Sequence, residues 1–144
     1  MKKFVAIAVA LVAFGGLGLA QAAEKAHKVV YHLNSKDVET QKDVLRNAQN
    51  HLSATGKDNT DLRIVMHAGG VQLMKNALKD PEIKSSVDNL KLQGVSFNIC
   101  QKTLERGKID YKNDLYDVSA KDLVPSGVAE IAILQGKGYA YVKP

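Results

Sequence analysis

Leu62-Arg-Ile-Val-Met-His67 followed by Ala68-Gly69-Gly70-Val71 is the stretch that decides the fold. Its first six residues are too short for an independent helix and rich in branched apolar side chains, which reads as a buried strand. Ala68-Gly69-Gly70 is then a tight turn, and Val71 to Leu78 reads as a helix. A strand feeding a helix through a glycine turn is half of a β-α-β unit, and the question is whether the pattern recurs.

It recurs on both sides. Upstream, His27 to Leu33 is a second β-branched and aromatic run, closed by Asn34 and Ser35, either of which can cap a following helix. Asp37 and Glu39 favour the positive end of that helix, and Leu45, Ala48 and Leu52 recur at helical spacing until Gly56. Downstream, Asp80-Pro81 is a helix start, with Asp as cap and Pro at the first helical position. Ile83, Val87 and Leu90 give it an apolar stripe that ends at Gly94.

Val95 to Ile99 is a third strand, and a short helix over Gln101 to Arg106 stops at Gly107. Leu115 to Val118 and Tyr139 to Val142 are expected as the fourth and fifth strands. Between them Pro125-Ser126-Gly127 opens a helix through Ile131 and Leu134, with Ser126 expected as its cap. Strands alternating with helices predict an α/β protein with a mostly parallel sheet of about five strands, covered on both faces.

The first residues predict an export signal. Lys2 and Lys3 form a basic start, Phe4 to Leu19 is almost purely apolar, and Ala20-Gln21-Ala22 supplies a small-x-small cleavage pattern. The apolar run falls short of the ~20 residues that comfortably span a bilayer, which disfavours a permanent anchor. Cleavage after Ala22 divides the chain into a signal over 1–22 and one domain over 23–144, of about 120 residues. The expected location is periplasmic or secreted, with no membrane attachment after cleavage.

The full 144-residue chain carries 20 basic and 15 acidic residues; without Lys2 and Lys3 the balance is 18 against 15, so the formal charge falls from +5 to +3. Lysines are scattered among acids with no basic stripe and no interleaved aromatics, which argues against a nucleic-acid partner. No dinucleotide or Walker glycine pattern occurs, so no nucleotide cofactor is indicated. One cysteine and widely spaced histidines give no local metal-ligand pair. Ser126 lacks a nucleophile elbow.

Cys100 is the only cysteine, an anomaly in an exported protein, where thiols are generally paired. It is buried and inert, joined to another chain, or kept for its reactivity. Its position after the third strand and before a helix start favours thiolate through the helix dipole and free N–H groups. His32 lies near the end of the first strand and His67 ends the second, so a parallel sheet places all three along one edge. Ligands of such sheets bind outside the carboxyl ends of the strands. His67 is the candidate acid/base or anion stabiliser, and His32, Asn34, Gly69, Gly70, Ser126 and Gly127 are candidate binding residues. His51 and His27 are expected to face solvent.

These residues resemble the DsrE/DsrF-like family, and within it an exported branch. The resemblance runs through Lys28-Val-Val-Tyr-His-Leu-Asn34, Ile64-Val-Met-His67 with Gly69-Gly70-Val71, and Leu90-Lys-x-x-Gly94-Val-x-Phe97-x-x-Cys100-x-x-Thr103-Leu104. It continues through Leu115-Tyr116, Val124-Pro-Ser-Gly-Val-Ala-Glu130 and Leu134-Gln-x-x-Gly138-Tyr-x-Tyr-Val-Lys-Pro144. It implies a three-layer flavodoxin-like fold, assembly into trimers or hexamers, and a persulfide-carrying cysteine at the position of Cys100. Relatives of this kind pass sulfur in sulfur oxidation or transfer-RNA thiolation, and their short helix ends in Arg-Gly, as Arg106-Gly107 does here. Export separates this chain from those cytoplasmic partners, so the pathway does not carry over. The implied function is a sulfur carrier working with donor and acceptor proteins or small thiols; the alternative is a non-catalytic oligomer that binds a small anion or a partner and keeps a structural cysteine.

Overall fold

The computed structural model describes residues 24–144; the export signal expected at 1–22 lies outside the described residues. Five strands, β1 (His27–Leu33), β2 (Thr60–Met66), β3 (Ser96–Cys100), β4 (Leu123–Val124) and β5 (Ala140–Val142), form one all-parallel sheet in the order β4-β3-β2-β1-β5. The helices are α1 (Val38–Thr55), α2 (Gln72–Asn76), α3 (Pro81–Leu92), α4 (Gln101–Gly107), α5 (Tyr111–Asp114) and α6 (Gly127–Gly136). The architecture is the three-layer flavodoxin-like α/β arrangement expected.

From β1 to β4 each crossover steps the same way across the sheet, so right-handed connections stack their helices on one face. The connection from β4 to β5 runs back past the whole sheet, which puts α6 on the other face. Strand alternation sorts the side chains accordingly. Val29, Tyr31 and Leu33, Leu62, Ile64 and Met66, and Phe97 and Ile99 join the large core under α1 and α3. Val30 and Val65 meet Ile131, Leu134 and Tyr139 in a small core under α6. By the same alternation His32, His67, Asn98 and Cys100 face α6.

Capping sets the helix starts. Asp37, rather than Asn34 or Ser35, caps α1, accepting hydrogen bonds from the Thr40 N–H and hydroxyl at 2.8 Å each. Asp80 caps α3 with Pro81 in its first turn, as expected. Ser126 occupies the N-cap position of α6, but its side chain makes no capping bond.

The fourth strand is a correction: it is Leu123–Val124, not Leu115 to Val118. Leu115 is buried and Tyr116 packs on the large core, so the apolar pattern there records burial without pairing. The Tyr116 N–H donates to the Met74 carbonyl at 3.0 Å, its hydroxyl to Asp88 at 2.8 Å, and Asp117 turns left-handed at φ 46°, which ends any extension. Among the described residues no helix is long and apolar enough to cross a membrane.

Candidate functional site

The site lies at the carboxyl ends of β1, β2 and β3. Met66 pairs with Ile99, so His67 and Cys100 follow in register on neighbouring strands and share the α6 face. Gly127, the first residue of α6, sits between them. A Cβ there would stand 2.9 Å from the His67 Cβ and 3.3 Å from the Cys100 Cβ, closer than side chains pack. Glycine is thus what lets the α6 backbone reach the sulfur.

Cys100 is buried, with 5% of its surface exposed. Burial pushes its thiol up, yet the Gly127 N–H, the Thr103 hydroxyl and the N–H groups of Thr103 and Lys102 outweigh it and hold the thiol below its ordinary value. Cys100 is the N-cap residue of α4, beside the first N–H groups that a helix leaves without intrahelical partners, although its side chain makes no capping hydrogen bond. The start of α6 packs against the same residue at Gly127, whose N–H also favours the thiolate. Two helix starts therefore converge on one sulfur.

Thr103 has a second task. Its hydroxyl oxygen accepts the Ala68 N–H at 2.9 Å, tying the turn after His67 to the start of α4. Ala68 is left-handed at φ 49°, an unfavourable conformation for a residue with a Cβ. The strain sits between His67 and the glycine turn, at the site itself.

His67 meets His32. Their Nε2 atoms are 2.6 Å apart, with ring centroids 4.8 Å apart and planes 24° apart. Rings stacked face over face would hold these nitrogens about as far apart as their centroids, so the imidazoles meet head to head along a hydrogen bond. His32 Nδ1 is 2.7 Å from the Tyr141 hydroxyl on β5. Burial, then His67, then the Lys143 ammonium push His32 down to about 4; burial and Lys143 also lower His67. Lys143 itself donates to Asn34 Oδ1 at 2.9 Å.

The remaining expected residues fall apart from the sulfur. Gly69 and Gly70 are required by close approach to β1: a Cβ would come 2.7 Å from the Lys36 nitrogen at Gly69, and 2.0 Å from the Leu33 oxygen at Gly70. The Gly70 N–H is spent on the His67 carbonyl at 2.9 Å, so the turn is a packing device. Ser126 stands next to Gly127 without a side-chain cap bond. His51 is half-buried against the Tyr31 hydroxyl, 3.3 Å away, instead of facing solvent, while His27 is exposed.

Thr103, Tyr141 and Lys143 complete the site and were not singled out from sequence. Only Thr103 left a signal there, three residues after Cys100, the spacing at which a capped helix offers its third N–H. Among the described residues no group of three or more histidine, cysteine or acidic side chains is placed to hold a metal ion.

An all-parallel α/β sheet with a donor-ringed cysteine at the end of its third strand defines the class. The chain belongs to the DsrE/DsrF-like family, whose model matches residues 12–144. It is similar to the solved structure of a protein of unknown function, MTH1491, from Methanobacterium thermoautotrophicum, with 29% identity and a TM-score of 0.71 over 82% of this chain and 99% of that one. The ychN protein from E. coli shares the fold at 19% identity and a TM-score of 0.66, with the same coverage, 82% and 99%. No curated protein matches the chain. Membership in this family suggests a role of the sulfur-relay type.

Proposed function

We propose that this protein is a periplasmic sulfur carrier that accepts sulfane sulfur on Cys100 as a persulfide and yields it to an acceptor thiol. The observation that carries the reading is the placement of Cys100 at the start of α4 with the Gly127 end of α6 packed against it, where the neighbouring N–H groups favour thiolate despite burial. Thiolate is the attacking form in sulfur exchange, and the same N–H groups would hold the anionic persulfide that results. A site closed to bulk water also slows oxidation of the sulfur toward sulfinic and sulfonic acids.

The donors and acceptors in this reading are proteins or small thiols, and the protein acts as a homo-oligomer, a trimer or hexamer. The exposed apolar side chains of α6, Val128 at 60% and Ile133 at 50%, favour a covered α6 surface.

Mass spectrometry after incubation with polysulfide tests the carrier. Wild type is expected to gain sulfur in steps of ~32 Da and Cys100→Ser to gain none, since the adduct requires the thiolate. Equal uptake by the two proteins, or none by wild type, overturns the reading.

The exposure of only 5% at Cys100 favours one second reading, a non-catalytic oligomer that binds a small anion or a partner and merely packs its cysteine. Iodoacetamide at pH 6 to 7 separates them. A carrier thiol reacts in the folded protein faster than an ordinary thiol of pKa ~8.5, while a packed one waits for unfolding.

A further inference from the structure

The donors around Cys100 account for the thiolate, but not for the chain of side chains that begins beside it and leads away. Tyr141, His32 and His67 are linked end to end at 2.7 and 2.6 Å. They come from β5, β1 and the end of β2, and the outer member, Tyr141, is 42% exposed. The sheet order makes this possible, because β5 lies beside β1 on the side away from β2. We propose that Tyr141, His32 and His67 form a proton relay between solvent and the neighbourhood of Cys100, serving the sulfur-transfer step; the proposal rests on the carrier reading.

The geometry dictates how such a chain conducts. Two nitrogens 2.6 Å apart have room for one proton between them, so the rings cannot both present an N–H at that contact. With both rings neutral, the chain has two arrangements. In the first, the Tyr141 hydroxyl donates to His32 Nδ1, His32 Nε2–H donates to His67 Nε2, and His67 carries its remaining proton on Nδ1. In the second, every proton has moved one place, His67 Nδ1 is bare, and His32 Nδ1–H donates to the Tyr141 oxygen. Passing from the first to the second delivers one proton at His67 and takes one up at Tyr141, with no charge left on either ring. Among the described residues His67 Nδ1 has no hydrogen-bond partner, as a terminus requires.

The surroundings keep the rings neutral. Burial is the main cause for both, and Lys143, held by Asn34, is the cation that acts on both in the same direction. The other charged groups on this face are committed or remote: Asp61 and Arg63 on β2 pair with each other, Lys28 on β1 pairs with Glu24, and α6 carries one charged residue, Glu130. Cys100 on β3 is the remaining titratable neighbour. A neutral pair passes protons, whereas a charged pair would store one.

The chemistry needs this proton. Cys100 thiolate attacks the outer sulfur of a donor persulfide, R–S–SH. The bond from Cys100 Sγ to that sulfur forms, the R–S bond to it breaks, and the electron pair leaves on R–S⁻. The Cys100 sulfur is thereby oxidised to the persulfide level and the donor's inner sulfur reduced to thiolate. His67 Nδ1–H protonates R–S⁻ beside the buried sulfur, where an unpaired anion is costly, and water re-supplies Tyr141.

A low-molecular-weight alkyl persulfide as donor, with the full chain, supplies the test. Tyr141→Phe and His32→Gln are expected to slow sulfur loading by about tenfold or more at pH 7.5, the scale of an assisted proton transfer, and added imidazole buffer to restore it. Alkylation of Cys100 by iodoacetamide, which needs no proton delivery, stays within about twofold of wild type because the donors to sulfur are intact. Loading unchanged in both variants, or alkylation falling in step with loading, overturns the relay while leaving the carrier standing. A wild-type protein that takes no sulfur overturns the carrier, and the relay with it.

Discussion

The two faces of the sheet are built to different ends. Under α1 and α3 the strands present Leu33, Leu62, Ile64, Met66, Phe97 and Ile99, all nearly without exposure, to Val44, Leu52, Ile83 and Leu90. Under α6 they present valines at their centre and His32, His67 and Cys100 at their carboxyl end, with one ten-residue helix above. Hydrophobic burial scales with the apolar area removed from water, so the first face carries most of the stability. The second face gives up apolar area for a thiol and two imidazoles. The lesson is that a parallel sheet can separate folding from chemistry by side-chain parity alone.

The most forceful way to break this comparison uses one residue type on each side. Leu90 and Leu134 are each 1% exposed, the first in the large core and the second under α6. Leu90→Ala is expected to cost about 3–5 kcal/mol and Leu134→Ala about 2–3 kcal/mol, since the smaller core under a single helix relaxes more easily around a cavity. Urea unfolding reads both. The decisive contrast lies in Cys100 alkylation of the folded proteins: Leu90→Ala leaves the rate alone, while Leu134→Ala slows it by loosening α6 and with it the Gly127 N–H. Equal effects on the thiol would show that the faces are not separate.

Much of this division was legible in the sequence. Short runs of branched and aromatic apolar residues mark β1, β2, β3 and β5, and the carboxyl-end rule puts His32, His67 and Cys100 on one edge. What escaped depends on long-range order. A two-residue strand such as Leu123–Val124 carries no periodicity, while Leu115 to Val118 mimics a strand because its apolar residues are buried for other reasons. The placement of β5 beside β1 is a fact of topology, so nothing local to Tyr141 announces His32, 109 residues away. Gly127 looked like the start of a helix, and its role appears only when α6 is docked against Cys100.

Gly127→Ala sharpens the comparison at that docking point. The new methyl meets the His67 Cβ at 2.9 Å, backbone-anchored atoms that cannot rotate away, so α6 must lift. Overpacking of this kind costs about 1–3 kcal/mol. The sulfur loses a donor as well, and a hydrogen bond to a charged group is worth about 1.5–3 kcal/mol, a tenfold or greater fall in thiolate below its pKa. The variant is expected to stay folded by circular dichroism and to show a higher thiol pKa in a pH profile of alkylation. A destabilised protein with an unmoved thiol pKa would mean that α4 alone holds the thiolate.

The smallest effect concerns protons and stability. Both histidines bind a proton less readily in the fold than in the unfolded chain, where imidazole titrates near 6.5; burial and Lys143 are the causes, with His67 adding to the depression at His32. Between pH 6.5 and about 4 the unfolded chain therefore holds more protons than the folded one. The stability that the neutral pair contributes is complete above pH 6.5 and is lost as the pH falls through that window. Carboxylates titrate over part of the same range, so the measurement is a difference: the urea midpoint at pH 7 minus that at pH 5, in wild type and in a His32→Gln, His67→Gln double variant. The drop is expected to be smaller in the double variant, and smaller also in Lys143→Met, where the rings titrate closer to their ordinary value. Identical drops in all three proteins would mean that the pair meets no penalty on charging, and the α6 face would then owe nothing of its stability to keeping those rings neutral.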